Sequence, residues 1–272
     1  MAPGASIVIP AHNEQARIGR TLQALMMDAH EGEFDFVVVC NGCTDGTAEE
    51  ARAFPGVRVV ELEEPSKVAA LREGDRRTDV FPRIYLDGDV ELSTQAARDL
   101  ASSLRDGVAL VAGVPGRYVL DEAPLGVQLF YEFRQRLPVF ADGIIGAGVY
   151  ALSAEGRARF DEWPDVLGDD QFIYRLFEPA ERAAIPEHST LVEPAQNLRA
   201  VVRRGLRVRQ GNRQLSLGAA GQPPLSPPRA GMGQAVRYSL KSPRGWASAA
   251  VFVTVTLVIR LRSRVGQGHS WV

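Results

Sequence analysis

The sequence predicts an α/β fold: a mixed, mainly parallel sheet flanked by helices, with a basic C-terminal extension. Two observations carry this. Short β-branched runs alternate with helical stretches through the first hundred residues, the pattern of βαβ units. Three of those runs end in polar turns, His12-Asn13-Glu14, Asn41 to Asp45 and Asp87 to Asp89, and ligands of such sheets collect beyond the carboxyl ends of the strands. At 272 residues and 45% hydrophobic content, the chain is long enough to bury a full core.

The elements follow in order. Ser6 to Pro10 (SIVIP) reads as a buried strand ending at a turn. From Glu14 to Ala29, Ile18, Leu22, Leu25 and Met26 recur at helical spacing. Phe36 to Cys40 is a second strand, closed by the turn dipeptides Asn41-Gly42 and Asp45-Gly46. Val57 to Leu62 is a third strand, Ser66 to Arg77 a helix, and Arg83 to Leu86 a fourth strand. Ser93 is the expected N-cap of a helix reaching about Arg105. Val108 to Val119 reads as two strands around a Pro-Gly turn, Leu125 to Leu137 as an amphipathic helix, and Gly168-Asp169-Asp170 as the start of another. A Pro/Gly-rich stretch divides the chain into a domain over 1–217, a linker over 218–233 and a basic, partly apolar segment over 234–272.

Charge is unevenly placed. Glu193 is the last acidic residue, and thirteen Lys and Arg follow it, so the two parts carry formal charges of −15 and +13. A basic block of this size calls for an anionic partner, whether a diphosphate, a lipid head group or the acidic body of the protein itself. Within it, Trp246 to Ile259 is an apolar stretch of fourteen residues, short of the roughly 20 that a spanning helix needs. With Arg244 before it and Arg260, Arg262 and Arg264 after it, residues 244–264 suit peripheral contact with an anionic membrane. Val253 to Leu261 also alternates with period two and fits a strand, and core packing or a partner interface is the preferred reading. Cys40 and Cys43 have no second Cys or His pair beside them, so they read as reduced thiols in a turn. Together with an N-terminus that lacks a charged signal region, they point to the cytoplasm.

The chemistry centres on Asp87-Gly88-Asp89. Two carboxylates one residue apart after a buried strand can hold a hard divalent cation through oxygen. Such a cation bridges a diphosphate and neutralises it as it leaves. Taken alone, Asp-x-Asp is better explained by an ordinary Asp-rich turn. Asn41 offers an amide donor and acceptor that match a base edge. Asp45 is expected to cap the following helix, and Lys67 opens a helix whose N–H groups and ammonium together suit phosphate. Asp169 and Asp170 supply carboxylates either for proton removal from a hydroxyl or for N-terminal capping, roles that are compatible.

Ile7-Val-Ile-Pro-Ala-His-Asn-Glu14, Asn41-Gly-Cys-Thr-Asp-Gly-Thr47, Ser66-Lys67 with Ala69-Ala70, and Leu86-Asp-Gly-Asp89 together resemble the ordered motifs of family-two glycosyltransferases. Gly146-Ala-Gly-Val-Tyr150 and Gly168-Asp-Asp170 resemble that family's acceptor-side glycines and Glu-Asp pair. The likeness covers roughly residues 5 to 215 and implies the Rossmann-like GT-A fold and an inverting, hexosyltransferase-type reaction. On that likeness Pro10, Ala11, Glu14, Asn41, Lys67, Asp87 and Gly88 line the nucleotide-sugar pocket. Asp89, with Asp87, holds Mn²⁺ or Mg²⁺; Asp170 is the catalytic base, with Asp169 beside it. Gln210-Gly-Asn-Arg213 resembles a truncated Gln-x-x-Arg-Trp motif, with Gln214 where Trp is usual, and implies a place for Arg213 on the diphosphate, with Arg203 or Arg204 as its companion. The implied partners are a UDP- or GDP-sugar and a hydroxyl acceptor, with no nucleic acid. Asn41 stands where many members have Asp, which leaves the base open between uridine and guanosine. Two other readings stand beside this one. A nucleotidyltransferase would need a Gly-rich basic loop where Pro10-Ala-His-Asn-Glu14 stands, and a non-catalytic nucleotide-sugar-binding protein would have no use for both Asp89 and Asp170.

Overall fold

A computed structural model describes residues 3–218, 225 and 231–265 of the chain. Residues 219–224 and 226–230 of the expected linker lie outside the described residues, as do Met1, Ala2 and 266–272. The chain forms two compact units.

The first unit comprises residues 1–116, 142–165 and 176–192. It carries strands β1 (Ala5–Ala11), β2 (Phe34–Asn41), β3 (Val57–Leu62), β4 (Arg83–Leu86) and β5 (Val111–Gly113). Strand β6 (Gly116–Tyr118) begins at its boundary, and β7 (Val149–Leu152), β8 (Arg182–Ala184) and β9 (Thr190–Val192) complete the strands. Seven of them form one sheet in the order β3-β2-β1-β4-β7-β5-β8. β1, β2, β3 and β4 run parallel, β5 is parallel to β8, and β7 alone runs antiparallel to both neighbours. β1 is buried along its whole length and β2 almost so, which is why both read as continuous apolar runs rather than alternating ones. β3, at the sheet edge, keeps Arg58 and Glu61 exposed. The two strands expected in 108–119 are present, but β5 takes its partners from β7 and β8.

Helices cover this sheet. α1 (Ile18–Met26) buries Ile18, Thr21, Leu22 and Leu25, the expected stripe. It starts four residues later than the periodicity suggests, because residues 12–17 form a turn in which Asn13 takes φ 56°. α2 (Thr47–Arg52) is short. α3 (Lys67–Arg77) is capped by Ser66, which the sequence pattern places inside the helix, and α4 (Thr94–Ser102) has the Ser93 cap that the sequence predicts. Ser66 Oγ accepts from Ala69 N and Ser93 Oγ from Ala96 N, each at 3.2 Å.

The second unit comprises residues 117–141, 166–175 and 193–272. α5 (Leu125–Arg134) buries Val127, Phe130 and Phe133; after the short α6 (Ala154–Arg157) of the first unit come α7 (Asp169–Leu176), α8 (Leu198–Leu217), α9 (Met232–Ser239) and α10 (Pro243–Val265). The strand alternative for 253–261 is wrong: this segment lies inside a continuous helix of 23 residues. Tertiary packing overrides its β-branched content, because helical spacing puts Phe252 and Val255 on one buried face. The Phe252 ring lies 4.6 Å from that of Phe133 and 5.3 Å from that of Phe130. The apolar count of fourteen also understates the element. By length and composition alone, Pro243–Arg264 is long and apolar enough to cross a membrane, and 22% of that window is buried.

Candidate functional site

The carboxyl ends of β1, β2 and β4 meet at one edge of the sheet, and their loops are clipped together by side chains. Glu14 N–H donates to Thr47 Oγ1 at 2.8 Å and Gln15 N–H to Asp45 Oδ2 at 3.2 Å. Gly46 N–H returns a bond to Gln15 Oε1 at 2.9 Å, and Thr44 N–H donates to Asn13 Oδ1 at 2.8 Å. His12 Nδ1 donates to the Asn41 carbonyl at 2.6 Å, which makes His12 a loop brace. Asp45 falls one residue short of its expected N-cap position, which Gly46 occupies. Asp45 Oδ1 still accepts from Thr47 N–H at 3.1 Å, and the Thr47 hydroxyl holds its carboxyl below the usual range.

Asn41 is buried. With its amide oriented to satisfy both ends, Nδ2 donates to the Ala11 carbonyl at 2.9 Å and Oδ1 accepts from Ser66 N–H at 3.3 Å. It therefore ties the ends of β1 and β2 to the cap of α3. Pro10 and Ala11 are buried at the carboxyl end of β1. Lys67, at the start of α3, sets Nζ 2.6 Å from Asp87 Oδ1, a charge-assisted contact. Asp87 N–H donates to the Gly148 carbonyl at 2.8 Å. Thr21 Oγ1 donates to the Gly88 carbonyl at 3.0 Å, and Asp89 is left exposed. Gly148 has φ 70°, and a Cβ there would meet Val90 Cγ2 at 2.5 Å, so only glycine allows this approach. Burial, and next the charge of Asp89, push the Glu14 carboxyl up, while a 3.2 Å bond from Arg17 Nη1 opposes the rise.

Among the described residues no group of three or more His, Cys, Asp and Glu side chains gathers to hold a metal by itself. Two carboxylates, Asp87 and Asp89, are available. A hard cation bound by one or two carboxylates draws its remaining ligands from water and substrate phosphates, and this pair fits that pattern.

In the second unit, Asp169 is buried at the start of α7 and Asp170 is half-buried, with Oδ1 accepting from Gln171 N–H at 2.7 Å. Arg213 is exposed on α8, like Arg203 and Arg204. The same stretch does structural work that its motif does not announce. Gly211 faces Leu167 so closely that a Cβ would lie 1.5 Å from its carbonyl oxygen. Gln214 Oε1 accepts from Leu167 N–H at 3.1 Å. Helix α8 thus holds the residue two positions before Asp169.

Sequence reasoning also missed Asp75. Its Oδ1 accepts from Arg83 Nη1 at 2.6 Å and Tyr85 OH at 2.7 Å; its Oδ2 accepts from Arg157 Nε at 2.8 Å and Trp163 Nε1 at 2.9 Å. This buried node fixes α3 to β4, to α6 through Arg157 and to the loop after α6 through Trp163. The signal was present only as an acidic residue on the inner face of a helix. Cys40 and Cys43 are free, as expected; burial and the neighbouring Cys43 push the Cys40 thiol up to about 12.

The sheet order, with one antiparallel strand set into a parallel array and an Asp-Gly-Asp turn at its carboxyl edge, defines a GT-A-type Rossmann-like protein. The chain belongs to glycosyl transferase family 2, whose sequence profile matches residues 6–152. It is 30% identical over 118 residues to glycosyltransferase AglE of Haloferax volcanii, a match that covers 41% of this chain and 39% of that protein, well under half of either. In fold it is similar to the mannosyltransferase PcManGT from Pyrobaculum calidifontis, solved with GDP-Man and Mn²⁺ (TM-score 0.59, 18% identity, 97% of this chain and 81% of that one). It is also similar to S. aureus TarS 1-349 with UDP (0.54, 14%, 100% and 94%). A third likeness is to M. tuberculosis glucosyl-3-phosphoglycerate synthase, solved with Mn²⁺, UDP and glucosyl-3-phosphoglycerate (0.52, 22%, 76% and 76%).

Proposed function

We propose that this chain transfers a hexose from a UDP- or GDP-sugar to an acceptor hydroxyl, with inversion at the anomeric carbon. The observation that carries this reading is the contact of Lys67 with Asp87 at the edge where the β1, β2 and β4 loops are clipped together. A lysine at a helix start, beside a paired-aspartate turn, is arranged to receive phosphate. A donor diphosphate competes with Asp87 for the ammonium, and so frees the Asp87 oxygens for ribose or metal. Pro10, Ala11, Glu14 and Gly88 line the nucleotide-sugar pocket, and the inward-turned Asn41 amide holds its floor. Arg213 contributes to the diphosphate. Mn²⁺ or Mg²⁺, held by Asp89 with Asp87, would neutralise charge on the departing diphosphate.

In the transfer itself, the acceptor oxygen forms a bond to the anomeric carbon as the bond from that carbon to the diphosphate breaks. The nucleoside diphosphate leaves with the electron pair, and the hydroxyl proton passes to Asp170. Asp169, buried beside it, fixes the first turn of α7. The exposed face of α10 supports peripheral contact of residues 244–264 with a membrane from the cytoplasmic side.

The experiment is turnover of labelled UDP- and GDP-sugars by Asp170→Asn. General-base help is worth roughly 10²–10⁴-fold, so kcat should fall by about that factor while donor affinity holds. Transfer at the normal rate by this variant would remove Asp170 from the mechanism.

A further inference from the structure

In the second unit, α7, α8 and α10 line an open cavity of about 320 Å³. Its walls include Arg175, Arg209 and Arg260, with Val208, Thr256 and Ile259 as the apolar side. Among the described residues none of the three guanidinium groups has a carboxylate within ion-pair distance. Arg175 spends its terminal nitrogens on neutral acceptors, Asn212 Oδ1, Ser216 Oγ and the Leu225 carbonyl, and its Nε is buried with no partner. Burial lowers its pKa, with no acidic neighbour to oppose the effect. Arg209 Nε donates to Ser263 Oγ at 2.7 Å, again a neutral group. Elsewhere in the molecule arginines find carboxylates readily, as Arg244 does with Glu132. A partly buried guanidinium without a counter-ion is costly unless an anion completes it.

We propose that this cavity is a phosphate-binding site, distinct from the strand-end site of the first unit. Guanidinium forks suit the planar, bidentate recognition of phosphate oxygens, and the open shape admits a phosphate group carried on a larger molecule. The surface beside it favours a lipid carrier. α10 presents Trp246, Val253, Leu257 and Leu261 as an exposed apolar stripe, with Trp246 and Leu261 both 61% exposed. An apolar stripe next to a cationic cavity is the arrangement that seats an anionic head group at a bilayer surface. The proposal stands independently of the transferase reading.

The test uses the full chain in EDTA with two probes: inorganic phosphate by calorimetry, and flotation with phosphatidylcholine vesicles with and without phosphatidylglycerol. Two double variants are compared. Arg209→Gln/Arg260→Gln removes cavity charge, and Arg262→Gln/Arg264→Gln removes equal charge outside it. Each charge-assisted contact is worth enough that the cavity variant should weaken binding on the order of tenfold or more, and the control far less. Loss of phosphate binding in the cavity variant alone supports a site for free phosphate. Loss of phosphatidylglycerol-dependent flotation alone supports a lipid head group. Equal losses in both variants, or no binding of either probe by the parent chain, overturn the proposal. All four arginines are exposed or at the rim, and an unchanged melting temperature checks that each variant is folded.

Discussion

Asp75→Asn tests whether the node that joins α3 to β4 and α6 holds the first unit together. Arg83 is 3% exposed and Asp75 10%, so removing the carboxylate charge leaves a buried cation without its partner. Breaking a buried pair in this way costs about 3–5 kcal/mol. The asparagine can still accept from Arg83 and Tyr85, but its amide nitrogen then faces two donors, Arg157 Nε and Trp163 Nε1, which favours the upper part of that range. For a chain of this size about 1 kcal/mol moves the melting temperature by roughly 2–4 °C, so a fall of about 6–20 °C is expected. Urea unfolding followed by tryptophan fluorescence reads the same quantity at 25 °C. Arg58→Gln serves as the control: it breaks the Asp35 pair at 2.7 Å, but Arg58 is 49% exposed, and such pairs are worth about 0–1 kcal/mol. If Asp75→Asn costs no more than that control, the node is not the fastening that its geometry indicates.

Asp89→Ala should abolish Mn²⁺-dependent binding of a UDP- or GDP-sugar in calorimetry while leaving weak metal-free binding; retained metal dependence would move the cation elsewhere. Glu14→Gln tests electrostatics at the same edge. The Glu14 carboxyl binds its proton more tightly in the folded chain than its ordinary 4.5 implies, so stability is full below that value and declines as pH rises through the folded one. The variant should match the parent's melting temperature at pH 4 and exceed it at pH 8, and a deficit at pH 8 would mean that the Arg17 bond outweighs burial. Gly211→Ala gains helix propensity, yet its Cβ meets the Leu167 carbonyl; overpacking of about 1–3 kcal/mol should prevail, with a melting temperature below the parent's.

The strands and caps that build the strand-end site were legible because each is a local signal. Ser6–Pro10 and Phe36–Cys40 are buried on both faces, so their composition alone marks them. Ser93 acts within three residues of itself. What escaped depends on distant pairing. The donors to Asp75 lie 8, 10, 82 and 88 positions away, and no spacing rule joins them. Asn41 illustrates a subtler limit. Its position was legible, but the direction of its amide is set by burial and by two backbone groups from other elements. In α10 the β-branched residues gave a local signal for strand that packing against α5 and α8 overruled.

The placement of the glycine loop follows from topology. β7 runs antiparallel to β4, with Val149 opposite Leu86 and Leu152 opposite Arg83. In a parallel array each strand brings its end to the carboxyl edge; a reversed strand brings its beginning. The residues that reach Asp87 from β7 must therefore precede it, which is why Gly146-Ala-Gly148 lies before the strand while the other polar turns follow theirs. The Gly148 carbonyl accepts from Asp87 N–H, and a Cβ at 148 would meet the Val90 side chain at 2.5 Å on a backbone with φ 70°. One reversed strand thus accounts for the position of that glycine motif, while the positive φ and the nearby Val90 side chain account for glycine at 148.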